Sequence, residues 1–161
     1  MTTIRLARPE EHPIIGEISV SAYEEADNIP ADGSYYSVLR NAADRAAEAE
    51  LLVALDGDKP VGTVTLVRPG GRYSEIARDD ELEFRMLAVA PQAAGRGVGR
   101  ALVDAVFERA RAERFARVVL CVQERAVVPR GLYERMGFQR LPERDWSPTE
   151  DIHLLGYYLD L

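Results

Sequence analysis

The chain is poor in the residues that build disulfide bridges and metal sites. Its 161 residues include one cysteine, Cys121, and two histidines, His12 and His153. A single cysteine excludes an internal disulfide and fits a reducing compartment. Neither histidine has ligand spacing with acidic neighbours, so no metal is expected. Cys121 lies in an aliphatic run with no histidine nearby, which favours a packed thiol over a nucleophile.

Long apolar runs and excess positive charge are missing too. No stretch approaches the roughly 18 apolar residues that a membrane span needs, and no charged leader precedes an apolar segment. We therefore expect a soluble, cytoplasmic protein with no membrane partner. The net charge of −7 argues against nucleic acid as the main partner and favours a cationic substrate. A hydrophobic content of 47% predicts that residues 1–161 form one domain with a sizeable core.

The spacing of apolar residues predicts an α/β (α+β) fold. Helices are predicted over 10–25, over 35–49 with Ser34 as N-cap, from 98 onward and over 129–136. Strands are predicted over 2–7, 51–55, 61–67, 82–90, 116–122, 138–141 and 152–159. The run 116–122 is expected inside the sheet. Strand 152–159 is apolar on both faces and is expected at an edge that packs under the fold or pairs with a second copy, which leaves a homodimer open.

Three glycines at alternate positions stand between a predicted strand and a predicted helix. Gly95, Gly97 and Gly99 remove side chains where backbone N–H groups turn toward an anion, and the positive end of the following helix points the same way. A Walker loop would need Lys and then Ser or Thr, whereas Arg100 and Ala101 follow. A dinucleotide fingerprint would need another glycine where Arg100 stands. The loop therefore predicts a phosphorylated ligand, with a match to a dinucleotide that is only weak.

The strand before the glycines is predicted to form part of the same site. Leu82, Phe84, Met86 and Ala88 alternate with the other strand residues until Pro91 ends the ladder, so one face packs on a core. The end of the strand is left free to pair with the amide groups of a ligand. An amide-bearing tail beside a strand and a pyrophosphate at the adjoining helix start together describe coenzyme A.

In two of its motifs the chain resembles the GCN5-related N-acetyltransferase (GNAT) family. The run from 94 to 99, AlaGlyArgGlyValGly, resembles the family's glycine signature, with Ala94 where the family favours Arg or Gln. The run from 131 to 138, GlyLeuTyrGluArgMetGlyPhe, is close to its second signature, and Ala126 stands where the family commonly has Asn. The two motifs occur in the family's order, about 35 residues apart, and the resemblance extends over most of the chain.

The resemblance implies a GNAT-type acyl-CoA N-acyltransferase fold and a cofactor position. The fold has a central mixed, mostly antiparallel sheet of about seven strands with four helices, and strands 4 and 5 splay apart around the cofactor's tail. Carried over, Leu87, Ala88 and Val89 offer backbone groups to the pantetheine. Gly95, Arg96, Gly97, Val98, Gly99 and Arg100 hold the pyrophosphate. The side chains of Arg96 and Arg100 either add charge near the phosphates or are solvated at the helix end.

The resemblance also assigns roles in acyl transfer from acetyl-CoA to an amine. Tyr133 matches the family's tyrosine that donates a proton to the leaving thiolate, and its alternative role is a core aromatic. Glu83 matches a position where several members carry a base, and its alternative role is an outward-facing salt-bridge partner. The backbone N–H of Leu87 is the oxyanion donor.

The identity of the acceptor is left open by the sequence. Acidic residues Glu24, Glu25, Asp27 and Asp32 lie in the segment that shapes the acceptor site in this family, and they either contact a cationic amine or are solvated. The favoured function is an acetyl-CoA-dependent N-acetyltransferase acting on a primary amine of a small molecule or a protein. The alternative is a non-catalytic acyl-CoA-binding or sensing module. The length of the acyl chain is open as well.

Overall fold

One mixed sheet organises the chain. The structure is a computed structural model that describes residues 2–26 and 33–161. Its strands are β1 (Thr2–Leu6), β2 (Glu50–Asp56), β3 (Lys59–Val67), β4 (Glu81–Val89), β5 (Arg117–Gln123), β6 (Gln139–Arg140), β7 (Trp146–Thr149) and β8 (Ile152–Asp160). The order is β1-β2-β3-β4-β5-β8-β6, and β7 also pairs with β8. Only β4 and β5 are parallel among the described pairs, which confirms the predicted mixed, mostly antiparallel sheet.

The described helices cover both faces of this sheet. They are α1 (His12–Glu25), α2 (Tyr36–Arg40), α3 (Ala42–Glu48), α4 (Val98–Ala112) and α5 (Val127–Arg135), with single 3-10 turns at Pro9–Glu11, Pro91–Ala93 and Pro142–Arg144. Leu51, Val53 and Leu55 of β2 pack with residues of α1 and α3. Leu52 and Ala54 belong to the main core, which includes the buried face of α4. Because successive strand residues point to opposite faces, the two sets lie on opposite sides of β2.

The predicted helix over 35–49 is wrong, because it is two helices separated at Asn41. Asn41 has φ −83° and ψ 62°, and its side-chain oxygen accepts the backbone N–H of Asp44 at 3.2 Å. An asparagine that bonds its own backbone in this way ends one helix and caps the next. Ser34 is not the N-cap, since α2 begins after Tyr35. The described residues therefore contain five α-helices where four were expected.

The carboxy-terminal region also differs from the prediction. No strand was predicted between 138–141 and 152–159, but Trp146–Thr149 forms β7, whose side chains are exposed and show no alternation. Strand β8 pairs with β5 on one side and with β6 and β7 on the other. The expectation that β8 forms a free edge is wrong, because both of its backbone edges are occupied within the chain. Pairing with a second copy along β8 loses its basis.

A bulge in β4 breaks the predicted alternation at Met86. The register with β3 shifts between Thr63 and Thr65, and Met86 has φ 56°, a left-handed conformation that is uncommon outside glycine. The Met86 side chain is buried with Val20 and Leu39, apart from the main core that contains Phe84. The expectation that Met86 shares a packed face with Phe84 is therefore wrong, and the bulge gives β4 a bend halfway along its length.

None of the helices in the described part of the chain combines the length and the apolar character needed to cross a bilayer.

The backbone conformation at Met86 predicts a shape-dependent stability effect. Met86→Leu keeps an unbranched Cβ and a similar volume, whereas Met86→Ile places a β-branched residue at a positive φ. We expect the Ile variant to be less stable than the Leu variant by about 1 to 3 kcal/mol. Urea unfolding of both variants measures the difference. Equal stability of the two would contradict a left-handed conformation at residue 86.

Candidate functional site

The site begins where β4 and β5 part. The two strands pair only over Glu81–Glu83 and Arg117–Val119. Beyond Glu83, β4 continues to Val89 with no β5 partner in the described chain, while β5 stays paired with β8 along its whole length. The backbone groups of β4 on this side have no strand partner. Since a buried peptide group without a hydrogen bond is costly, they are suited to bind another partner. The predicted splay between strands 4 and 5 is confirmed.

A glycine loop closes the wide end of this cleft. Gly95 and Gly97 have φ values of 78° and 80°, and Gly97 is the N-cap of α4 without a side-chain cap. The positive φ values explain the glycines, and the first N–H groups of the helix stay open toward an anion. The lack of a side chain at Gly99 allows α4 to pack closely against α5, because a Cβ there would lie 3.3 Å from Leu132 Cδ2. The loop, α4 and α5 are thereby held in one arrangement.

Cleft and loop belong to one continuous cavity of about 850 Å³. It is lined by most of the residues predicted from the sequence: Leu87, Ala88, Val89, Gly95, Gly97, Val98, Gly99, Arg100 and Tyr133. Two predicted residues do not line it. The Arg96 guanidinium lies 3.9 Å from Asp56 in an exposed pair, and Glu83 is fully buried. Ala94 at the head of the loop also lines the cavity.

Tyr133 places a phenol against the wall of the cleft. Its ring packs edge-on against Phe84 and Phe138, at centroid distances of 5.7 and 5.8 Å. No described residue hydrogen-bonds its hydroxyl, although the residue lines the cavity. Burial raises the pKa of Tyr133, so the phenol keeps its proton at physiological pH. The ring belongs to the core while the hydroxyl is available to a ligand.

Glu83 lies behind the cavity wall. Its Oε1 accepts the backbone N–H groups of Glu75, Ile76 and Ala77 at 3.0, 3.2 and 3.2 Å. Burial raises the pKa of Glu83, while these amide hydrogen bonds oppose the shift. The alternative of an outward-facing salt-bridge partner is wrong, because the side chain is buried and the structure gives it no ion pair among the described residues. Glu83 fixes the segment between β3 and β4.

That segment brings a carboxylate into the cavity that sequence reasoning missed. Glu75 lines the cavity, and its Oε1 lies 3.0 Å from Arg85 Nε and 3.1 Å from Cys121 Sγ. Arg85 is also held by the Tyr73 carbonyl at 3.1 Å and by the Tyr35 hydroxyl at 3.2 Å. Glu75 belongs to a segment without periodicity. No sequence signal placed it near β5.

Cys121 faces this polar end of the cavity and is half-buried, so its thiol is not surrounded by aliphatic residues alone. Its thiol donates to Glu75. Burial, followed by the charge of Glu75, raises the pKa of Cys121 well above its ordinary value. The thiolate that a nucleophile needs is therefore disfavoured.

Glu75, Glu83 and Cys121 place donor atoms within 4.8 Å of one another, a spacing that a cation could use. A cation is already present there, because the Arg85 guanidinium pairs with Glu75. The oxygen Oε1 of Glu83 accepts three amide groups, while its Oε2 is buried without a hydrogen-bond partner. We interpret the cluster as an arrangement in which Arg85 compensates the charge of Glu75.

Aromatic side chains also line the cavity. Tyr23 of α1 and Tyr35 pack with ring centroids 6.0 Å apart, and burial raises the pKa of both. Trp146 of β7 also lines the cavity. Of the predicted acidic cluster, Glu25 lines the cavity and Glu24 accepts the Tyr36 hydroxyl at 3.1 Å. Asp27 and Asp32 lie outside the described residues.

Comparison with known proteins decides the family. A model of the acetyltransferase (GNAT) family matches residues 14–138, which is most of the chain. The chain belongs to the GNAT acetyltransferase family. A mycothiol acetyltransferase from Geodermatophilus obscurus is 35% identical over 115 residues, which are 69% of this chain and 36% of that protein. The chain thus spans about a third of that relative's length.

Solved GNAT structures share the fold over nearly the whole chain. A GNAT acetyltransferase from Staphylococcus aureus has a TM-score of 0.76 at 18% identity, with 100% of this chain and 99% of that chain covered. The PaiA N-acetyltransferase from Thermoplasma acidophilum, solved in complex with coenzyme A, has a TM-score of 0.75 at 12% identity, with 97% and 98% covered. At these identities the likeness concerns the fold.

The surroundings of Cys121 predict a slow thiol. We expect iodoacetamide at pH 8 to alkylate native Cys121 far more slowly than the same thiol in urea-unfolded protein, because burial and Glu75 disfavour the thiolate. Mass spectrometry of quenched samples measures both rates. A native rate equal to the unfolded rate would show that the thiol is neither buried nor paired with Glu75.

Proposed function

We propose that this GNAT domain binds acetyl-CoA and transfers the acetyl group to a primary amine of a small molecule or a protein. The observation that carries the proposal is the unpaired edge of β4 leading into an uncapped helix start. An extended pantetheine pairs with the former, and a pyrophosphate binds the latter. We also propose that the whole chain is one such domain and works in the cytoplasm, as its single cysteine predicts.

The cofactor's position follows from the cavity. The backbone of Leu87, Ala88 and Val89 pairs with the pantetheine amides. The N–H groups from Gly95 to Arg100 surround the pyrophosphate, and Arg100 adds its charge there because it lines the cavity whereas Arg96 does not. The thioester then lies between β4 and Tyr133.

Acyl transfer needs three groups at this thioester. The N–H of Leu87 binds the oxygen that becomes negative in the tetrahedral intermediate. The Tyr133 phenol, which burial keeps protonated, gives its proton to the departing thiolate. Glu83, the base predicted from the sequence, does not line the cavity and contacts the backbone N–H groups of residues 75 to 77, so its part in proton transfer is indirect. An unbonded Tyr133 hydroxyl favours the transferase over a sensing module, which needs no phenol at the thioester.

The glycine loop predicts a charge-specific loss of cofactor binding. Gly97→Asn and Gly97→Asp tolerate a positive φ about equally and have nearly the same shape, but Asp places a negative charge beside the pyrophosphate. We expect the Asp variant to bind coenzyme A more weakly than the Asn variant, by about tenfold or more. Isothermal titration calorimetry measures both Kd values. Pantetheine, which lacks the phosphates, is the control ligand and should bind the two variants equally.

The position of the Tyr133 hydroxyl predicts a defect in the chemical step. Tyr133→Phe keeps the ring packing on Phe84 and Phe138 but removes the proton donor. We expect kcat to fall about 100-fold or more, while the Kd of coenzyme A stays near the native value. Release of free coenzyme A thiol across a panel of primary amines measures turnover. Native turnover that survives the substitution removes Tyr133 from the chemistry. Binding of coenzyme A without turnover on any amine would favour the sensing module.

A further inference from the structure

Two carboxylates lie at the closed end of the cavity, and only one of them opens into it. Glu83 has no exposed surface, and its Oε1 is used by three backbone N–H groups of residues 75 to 77. Glu75 lines the cavity with 16% of its side chain exposed. The buried carboxylate therefore holds the backbone from which the accessible carboxylate extends.

The two carboxylate oxygens of Glu75 differ in their contacts. Oε1 pairs with Arg85 Nε and accepts a hydrogen bond from Cys121 Sγ. No described residue hydrogen-bonds Oε2, and Oε2 is not among the buried atoms that lack a hydrogen-bond partner, so it has accessible surface where Glu75 lines the cavity. The pairing with Arg85 fixes the orientation of the carboxylate while the second oxygen stays available.

We propose that Glu75 is the carboxylate that binds the acceptor's ammonium group and takes up its proton, and that Glu83 positions Glu75. This assignment rests on the transferase function proposed above. A protonated amine must lose a proton before its nitrogen lone pair can attack the thioester carbonyl carbon. Glu75 Oε2 lies in the same cavity as the glycine loop, so it can reach an amine that enters this cavity.

The proton balance is complete with these groups. The ammonium nitrogen starts with three protons, and one passes to Glu75 and then to solvent. The C–N bond forms and the C–S bond breaks, so the electron pair leaves on the coenzyme A sulfur. The amide nitrogen keeps one proton. The remaining one is released as the intermediate collapses, and it balances the proton that Tyr133 gives to the thiolate and recovers from solvent.

The neighbours of Glu75 do not compete for the amine's proton. The groups that face it are Arg85 and Glu83 of β4, Cys121 of β5, Tyr23 of α1 and Tyr35 before α2. Burial raises the pKa of Cys121 and of both tyrosines, so these groups are already protonated at neutral pH. Arg85 is a permanent cation. Glu83 has no path to a ligand in the cavity.

The test compares two substitutions that change charge but hardly shape, with acceptors of different basicity. Glu75→Gln removes the proton acceptor from the cavity. Glu83→Gln keeps a carbonyl oxygen that still accepts the three N–H groups. Glu108→Gln, an exposed position on α4, is the matched control and should behave like the native protein. Butylamine is protonated at neutral pH, whereas hydroxylamine is largely neutral there and needs no base before attack.

We expect Glu75→Gln to lower kcat/KM for butylamine about 100-fold or more, and to have a much smaller effect with hydroxylamine. Glu83→Gln should cause a smaller loss that is similar for both acceptors. The assignment is overturned if the order of the two variants is reversed, or if Glu75→Gln harms both acceptors equally, which would indicate a structural role. Loss of native activity in EDTA would also overturn it, since a metal would then hold the carboxylates.

A binding measurement separates this proposal from the proposed function. Butylamine is titrated into the native protein and the Glu75→Gln variant with coenzyme A bound, and chemical shifts are followed by NMR. Weaker binding to the variant supports the ammonium contact even if no acetyl group is transferred, and in that case only the transferase function fails. Equal binding to both proteins overturns the role of Glu75.

Discussion

The cleft depends on a parallel pairing of β4 with β5 that ends after three residue pairs. A longer ladder would satisfy the backbone of β4 and leave no room between the strands. Because the ladder is short, peptide groups of β4 lie inside the protein without a strand partner, and a ligand with amide groups is the natural partner for them. The bulge at Met86 contributes to the separation of the two strands, because a bulge bends the strand that carries it.

Most charged groups near the cleft have an ion-pair partner or hydrogen bonds that compensate the cost of burying their charge. Glu81, close to the start of β4, is buried and held by Arg144 and by the backbone N–H of Arg78. Burial opposes its charge, but these hydrogen bonds outweigh it and lower the pKa of Glu81. Arg144 also donates to the carbonyl of Ile76 at 3.2 Å. The part of the segment that carries Glu75 is thus held in place next to β4, which a precisely aimed carboxylate requires.

Local chemistry made the part of the cavity near the glycine loop predictable. Gly95 and Gly97 stand where the backbone needs a positive φ, and Tyr133 lies in a run with a recognisable order, so the sequence pattern and the geometry agree. The part of the cavity near Glu75 follows from tertiary contacts. Glu75, Arg85 and Cys121 meet through hydrogen bonds between a loop and two strands, and nothing in their spacing along the chain signals it.

The errors in the predicted fold have a similar origin. The alanine-rich stretch from 42 to 49 has helical periodicity, but Asn41 interrupts it with a cap that periodicity alone does not reveal. Strand β7 has exposed side chains and a proline, so its pairing with β8 comes from the neighbouring strand and not from its own pattern. The bulge at Met86 depends on the register with β3, which a single strand's sequence does not specify.

The two walls of the cleft differ in the regularity of their pairing. Strand β5 is paired with β8 in unbroken register from Arg117 to Gln123. The other wall, β4, is paired with β3, and the bulge at Met86 interrupts that register. Substitutions that change the width of the cleft would therefore meet an already irregular ladder along β4, whereas the same changes along β5 would disturb a regular one.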